Sequence, residues 1–122
     1  MKHILIILFT LLTVFAGQAQ KISHIENTGA WYVIYDDNGK KVRSFTTSNT
    51  ELVAYSDSFY IIRQGQFYYT CDMKGKKLHT FALSSVGNIL NASGDTFTSR
   101  NGNWVITWSK TGKKLSTRYA SH

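Results

Sequence analysis

Gly-Lys-Lys occurs three times in this chain, as Gly39-Lys40-Lys41, Gly75-Lys76-Lys77 and Gly112-Lys113-Lys114, at intervals of 36 and 37 residues. Anchoring on these glycines aligns GAWYVIYDDNGKKVRSF with GQFYYTCDMKGKKLHTF and GNWVITWSKTGKKLSTRY. A second glycine stands ten residues ahead of each, at Gly29, Gly65 and Gly102, and an aromatic residue follows it by two, at Trp31, Phe67 and Trp104. A period of this length marks a supersecondary unit that cannot bury its own apolar face and must stack on its neighbours. The chain is therefore limited to architectures built by stacking like units, with approximate repeats at 21–49, 50–85 and 86–122.

Within each unit the apolar residues alternate, which is the period of a strand and not of a helix. Trp31, Val33 and Tyr35 fall on one face, with counterparts Phe67, Tyr69 and Cys71, then Trp104, Ile106 and Trp108. Tyr32 and Ile34, Tyr68 and Thr70, and Val105 and Thr107 fall on the other. Two faces this apolar require a packed layer on each side. Asn-Gly in RNGNW is a strong hairpin signal, and NTGAW and RQGQF keep its glycine. DDNG, DMKG and SKTG end in a glycine suited to the left-handed position of a slightly longer loop. Strands are expected before and after each of these turns, and a further one, ELVAYS or GNILNAS, ahead of the second and third copies only. No helix is predicted beyond the N-terminal segment. The fold class is all-β, an antiparallel meander of about 11 short strands in three ~36-residue repeats.

The Lys pair opens the last strand of each unit, which in a meander is the sheet's outer edge. Lysines there discourage pairing with stray chains, since two such edges bring like charges together. The chain contains no proline, the other common protector of an edge. Residues 1–19 read as a secretory signal peptide: Lys2 and His3 precede an apolar run from Ile4 to Phe15, and Gly17 and Ala19 supply the small residues that place cleavage near Ala19. That run is too short to span a bilayer. The expected product is a single repeat β domain, 20–122, periplasmic or secreted by a bacterial cell. Cys71 is the one cysteine, so no internal disulfide is possible and cohesion falls to aromatic burial or to assembly with further copies.

The order AYSDSFYIIRQGQFYYTCDMKGKKLHTF resembles one blade of a β-propeller: an inner strand, a Ser-Asp turn, a second strand, a glycine hairpin, an aromatic-led third strand and an outer strand. GDTFTSRNGNWVITWSKTGKKLSTR is similar to a second blade, and KISHIENTGAWYVIYDDNGKKVRSF to a partial one. The G-x-W and G-K spacing is more distantly similar to the WG-type repeats of bacterial envelope proteins. What the propeller resemblance implies is a β-propeller-like stack. Fewer than three full blades fall short of the number that closes a ring, so a small β-barrel or a β-trefoil stands as the alternative, and a ring shared between chains makes a homo-oligomer a further possibility.

No catalytic constellation is present. His24, His79 and His122 show no zinc-ligand spacing, and Cys71 aligns with Tyr35 and Trp108, a core slot rather than a nucleophile's place. Asp36 and Asp37 hint at a calcium loop, but the other copies carry Met73, Lys110 and Thr111 where further oxygen ligands are needed. Neither metal nor cofactor is expected. Beyond residue 19 the chain carries thirteen Lys and Arg against seven Asp and Glu, a net charge near +6, which favours anionic polymers or surfaces. An exported protein rarely meets nucleic acid, so regulated nucleic-acid binding is not expected. The function read from these residues is an exported, non-catalytic binding module of the cell envelope or secretome for an anionic or carbohydrate ligand or a protein partner. Tyr32, Tyr60 and Tyr68 are the candidate aromatic contacts, with Lys40, Lys41, Lys76, Lys77, Lys113 and Lys114 as the basic contribution. The alternative is a small hydrolase or lyase acting on envelope glycans through Asp36, Asp57, Asp72 and Asp95. Paired carboxylates of that kind stand about 5–10 Å apart. Asp36 and Asp72 are equivalent within the repeat, so both are expected to point outward at separate places.

Overall fold

The computed structural model describes residues 20–120, and the signal peptide expected at 1–19 lies outside them. The chain forms eleven strands in three antiparallel sheets. The first sheet is β1 (Ile22–Asn27), β2 (Trp31–Asp36) and β3 (Lys41–Thr46). The second is β4 (Glu51–Tyr55), β5 (Phe59–Gln64), β6 (Phe67–Asp72) and β7 (Lys77–Ala82). After one helical turn, α1 (Leu83–Val86), the third follows as β8 (Asn88–Ser93), β9 (Thr96–Asn101), β10 (Trp104–Ser109) and β11 (Lys114–Tyr119). In each sheet the strands lie side by side in chain order. Among the described residues, no helix is long and apolar enough to cross a membrane.

Two expectations need correction. Among the described residues there is no closed barrel, because each sheet ends in two edge strands and no strand pairs across to another sheet. The small β-barrel, and the β-trefoil that depends on one, is therefore not the architecture. Second, α1 interrupts what was read as purely strand and turn. It is four residues long, shorter than any periodicity can register, and it ends on Gly87, whose φ of 80° lets its N–H close onto the Leu83 carbonyl at 2.8 Å. Val86 leaves this turn fully buried between the second and third sheets.

The sheets stack face to face in chain order. Ile22, Ile25, Tyr32 and Ile34 of the first pack against Tyr60, Ile62, Cys71 and Met73 of the second. The opposite face of the second, with Phe59, Ile61, Tyr68 and Phe81, packs against Phe97, Ile106 and Trp108 of the third. Alternation on a pleated strand sends neighbouring residues to opposite faces, so the middle sheet serves two cores at once. Each fully buried Ile or Phe contributes about 1.5–3 kcal/mol. Where the stack is tightest, β4 and β8 approach one another; β7 and β11 are the outer edges, and each opens with lysine.

Tyr32 and Tyr68 occupy equivalent positions, and each uses its hydroxyl to fasten one sheet to the first strand region of the next. Tyr32 Oη accepts from Leu52 N at 3.1 Å, and Tyr68 Oη donates to the Gly87 carbonyl at 2.9 Å. The Gly-Lys-Lys turns make a second equivalent contact. Gly39, Gly75 and Gly112 all have positive φ, which glycine adopts without strain. At Gly75 a Cβ would collide with the Arg43 guanidinium of the preceding sheet, and at Gly112 with the His79 ring. Arg43 and His79 are themselves equivalent, opposite Ile34 and Thr70 in their sheets. Gly39 has no preceding sheet and nothing lies within 4 Å of the same point.

All three glycines therefore carry a conformational demand, and two carry a steric one. Replacement by alanine at a left-handed position costs about 1–2 kcal/mol. Gly39→Ala is expected to show that cost alone, whereas Gly112→Ala must also push aside His79, whose ring is held edge-on by Phe81 at 4.6 Å. Thermal denaturation should rank Gly112→Ala below Gly39→Ala in stability. Equal melting temperatures would show that the ring contact carries no weight.

Candidate functional site

A meander sends successive turns to alternate ends of its sheets, and this chain sorts its charges by end. One end carries the turns 36–41, 55–59, 72–77, 93–96 and 109–114 together with the entry to β1. All nine described lysines, from Lys21 to Lys114, and all five aspartates lie in or beside these segments. The connections at the other end, 27–31, 46–50, 64–67, 82–88 and 101–104, hold no charged residue. Glu26 and Arg118 stand beside them near the ends of β1 and β11, Glu51 opens β4, and Arg63 and Arg100 reach them from β5 and β9 to donate to the Gly65 and Gly102 carbonyls at 3.4 and 3.1 Å.

At the charged end the aspartates hold the turns that display the lysines. Asp36 Oδ1 accepts from Asn38 N at 2.9 Å and Lys40 N at 2.8 Å; Asp72 Oδ1 accepts from Lys74 N and Lys76 N at 2.9 Å each. Ser109 takes the same part in the third turn, its hydroxyl accepting from Lys113 N at 2.9 Å. This is the short-side-chain turn chemistry of Asp and Ser. Asp36 does not point outward as expected: it is 1% exposed, folded back over its own loop. Asp57 lies 3.9 Å from Lys21, and Asp95 pairs with Lys110 at 2.9 Å while accepting from Ser58 Oγ at 2.7 Å. Asp36 and Asp72 thus hold their own loops, whereas Asp57 and Asp95 reach residues of neighbouring turns, and the 55–59 and 93–96 turns touch through Ser56 and Ser58.

Between β3 and the facing side of the second sheet runs a cleft of about 170 Å³. Tyr60, Cys71, Ile62 and Phe45 form its floor, with Phe45 stacked on Tyr60 at 5.2 Å between ring centroids. Arg43 and Lys77 stand on its two sides, and Gln64 closes the far end by donating to Thr50 Oγ1 at 2.9 Å. The Lys77 ammonium sits 4.0 Å from the centre of the Tyr69 ring, a cation–π contact that fixes its stem. Arg43 is laid across Gly75, where a Cβ would meet its guanidinium. Among the described residues neither cation has a carboxylate within salt-bridge distance. Burial pushes the Tyr60 phenol well up, with the neighbouring Cys71 adding to it, and burial likewise pushes the Cys71 thiol up. Both groups stay protonated near neutrality, so the floor offers hydroxyl and thiol but no anionic nucleophile.

The candidate residues divide between these places. Tyr32, Tyr60 and Tyr68 are all buried. Tyr32 and Tyr68 fasten one sheet to the next, while Tyr60 lines the cleft. Lys77 joins Tyr60 there; Lys40, Lys41, Lys76, Lys113 and Lys114 are exposed along the charged end. Sequence reasoning missed Arg43 and Gln64. The signal for Arg43 was present in its alignment with His79 and Ser116, since one long cation among shorter residues marks a position where the neighbouring surface differs.

No family model matches the chain, and no curated protein does. Among solved structures it is similar to a Bacteroides caccae protein of unknown function, with a TM-score of 0.51 and 12% identity over 82% of this chain. A second similar structure is KlHsv2 with loop 6CD replaced by a Gly-Ser linker, at TM-score 0.46, 9% identity and 83% of this chain. The chain spans 40% of the length of each.

Two solution properties follow from these groups. Cys71 should resist iodoacetamide in the native protein and label rapidly after denaturation, and fast native labelling would contradict its burial. Asp95 is held below its ordinary value of 3.8 by Lys110 and Ser58. A lowered folded value means that its contribution is present above the unfolded value and is lost as pH falls through the folded one. Asp95→Asn should therefore remove part of the decline in melting temperature below pH ~4, and an unchanged acid profile would show the pair to be idle.

Proposed function

We propose that the chain is an exported, non-catalytic binding module whose sheets are propeller-like blades, and that it holds an anionic ligand group in the cleft between the first and second. The observation that carries this reading is the pairing of Arg43 and Lys77 across a cleft that contains no carboxylate. A guanidinium presents a planar donor fork to carboxylate, phosphate or sulfate, and a lysine adds a point charge beside it. The lysine-rich end next to the cleft draws an anionic polymer towards it over a Debye length of about 8 Å at physiological salt. Radial arrangement of the sheets is supported by the close approach of β4 and β8 while the lysine-led strands stay at the outside. Propeller-like clefts between blades open in that direction.

A hydrolase or lyase would need two carboxylates facing one substrate bond. Here Asp36 and Asp72 are spent on their own turns, Asp57 and Asp95 are paired with Lys21 and Lys110, and the phenol and thiol of the cleft are protonated, which supports binding over catalysis. The test is retention on immobilised heparin. Arg43→Ala with Lys77→Ala is expected to lower the eluting salt concentration more than Lys40→Ala with Lys113→Ala, although each pair removes two charges. Equal shifts would mean that net charge alone is responsible and would remove the cleft as a site.

A further inference from the structure

We infer that the uncharged end of the sheets is a second binding surface, and that its ligand is a neutral polysaccharide chain. Three large rings stand there in the open. Trp31, Phe67 and Trp104 are 50%, 44% and 49% exposed, and each is the first residue of its strand directly after a hairpin. They occupy the same register position in three stacked sheets, opposite Thr46, Ala82 and Tyr119 respectively. The stack therefore repeats the ring once per layer, at roughly the 10 Å spacing of packed sheets. Three such rings in line offer successive apolar faces to one extended ligand.

The chemistry around the rings selects it. Uncharged polar residues stand in the hairpins that precede the rings: Thr28, whose hydroxyl donates to the Trp31 carbonyl at 3.1 Å, then Gln66 before Phe67 and Asn103 before Trp104, with Ala30 in the place equivalent to these two. Thr47 Oγ1 donates to the Gly29 carbonyl at 2.8 Å, tying the first hairpin to the β3–β4 connection. Tyr119 meets Trp104 edge-on at 5.4 Å and its hydroxyl accepts from Asn103 Nδ2 at 3.4 Å, so that ring is already oriented. Flat apolar faces flanked by amides and hydroxyls match the alternation of C–H faces and equatorial hydroxyls on a sugar ring. The spacing of the rings suits a chain of sugars, since a single sugar cannot touch two of them. The charges near this end are of both signs, Glu26 and Glu51 against Arg63, Arg100 and Arg118, while every described lysine lies at the opposite end, so this end has no strong field for an anion.

Isothermal titration of the purified protein with hydroxyethylcellulose, laminarin, galactomannan, xylan and pullulan tests this directly. Binding is expected to at least one of the five and to persist at high salt. Trp31→Ala and Trp104→Ala should each weaken it about tenfold or more, as truncating an aromatic anchor does, with Trp31→Phe and Trp104→Phe retaining most of it. Both tryptophans are half exposed, so loss of fold is not anticipated, and far-UV circular dichroism checks it. The Arg43→Ala and Lys77→Ala pair should leave this binding unchanged, which separates it from the anion cleft. Absence of binding to every one of the five polysaccharides overturns the inference. So does binding that survives loss of both tryptophans, and so does a dimer in light scattering that forms without polysaccharide and is abolished by Trp31→Ala or Trp104→Ala.

Discussion

The middle sheet has no polar face to give to water, and the rest of the molecule is arranged around that constraint. One side presents Tyr60, Ile62, Cys71 and Met73, the other Phe59, Ile61, Tyr68 and Phe81. Exposing either would leave several hundred Å² of apolar surface in solvent, a size that monomeric proteins rarely tolerate. A sheet must therefore lie on each side. The first and third supply those layers, and the tyrosine hydroxyls and the side chains laid over Gly75 and Gly112 set how they sit.

The outward faces of the stack are written differently. Where the first two sheets carry Ile25 or Ile61, Phe45 or Phe81, and Tyr32 or Tyr68, the third has Thr98, Arg118 and Val105 in the same registers. On the outer face of the first sheet, His24 and Glu26 stand where the second has Tyr60 and Ile62. These substitutions lower the apolar surface left uncovered at each end of a three-sheet stack.

Much of this was legible in the sequence because it depends on local rules. Strand positions followed from the two-residue alternation, and the turns from glycine at left-handed positions, with the lysine pairs opening edge strands as the meander requires. The candidate cleft was only partly legible. Lys77 and Tyr60 were in view as separate residues, but their meeting across two sheets with Arg43 is a matter of how those sheets are offset. Asp36 was read as outward from its equivalence with Asp72 in the repeat, whereas three-point bonding to its own loop and to Gln20 draws it inward. The four-residue helix between β7 and β8 fell below the length at which helical periodicity exists.

By itself the sequence determined the pleated units, their order, their two apolar faces and the division of charged from uncharged turns, because each follows from backbone geometry and from chain direction reversing at every hairpin. Tertiary structure decided which of the tyrosines became fasteners and which a cleft floor, whether the sheets closed into a barrel, and which cations met at the cleft. Those outcomes depend on contacts between residues dozens of positions apart, and side-chain pattern along a strand carries no record of which sheet will lie across from it.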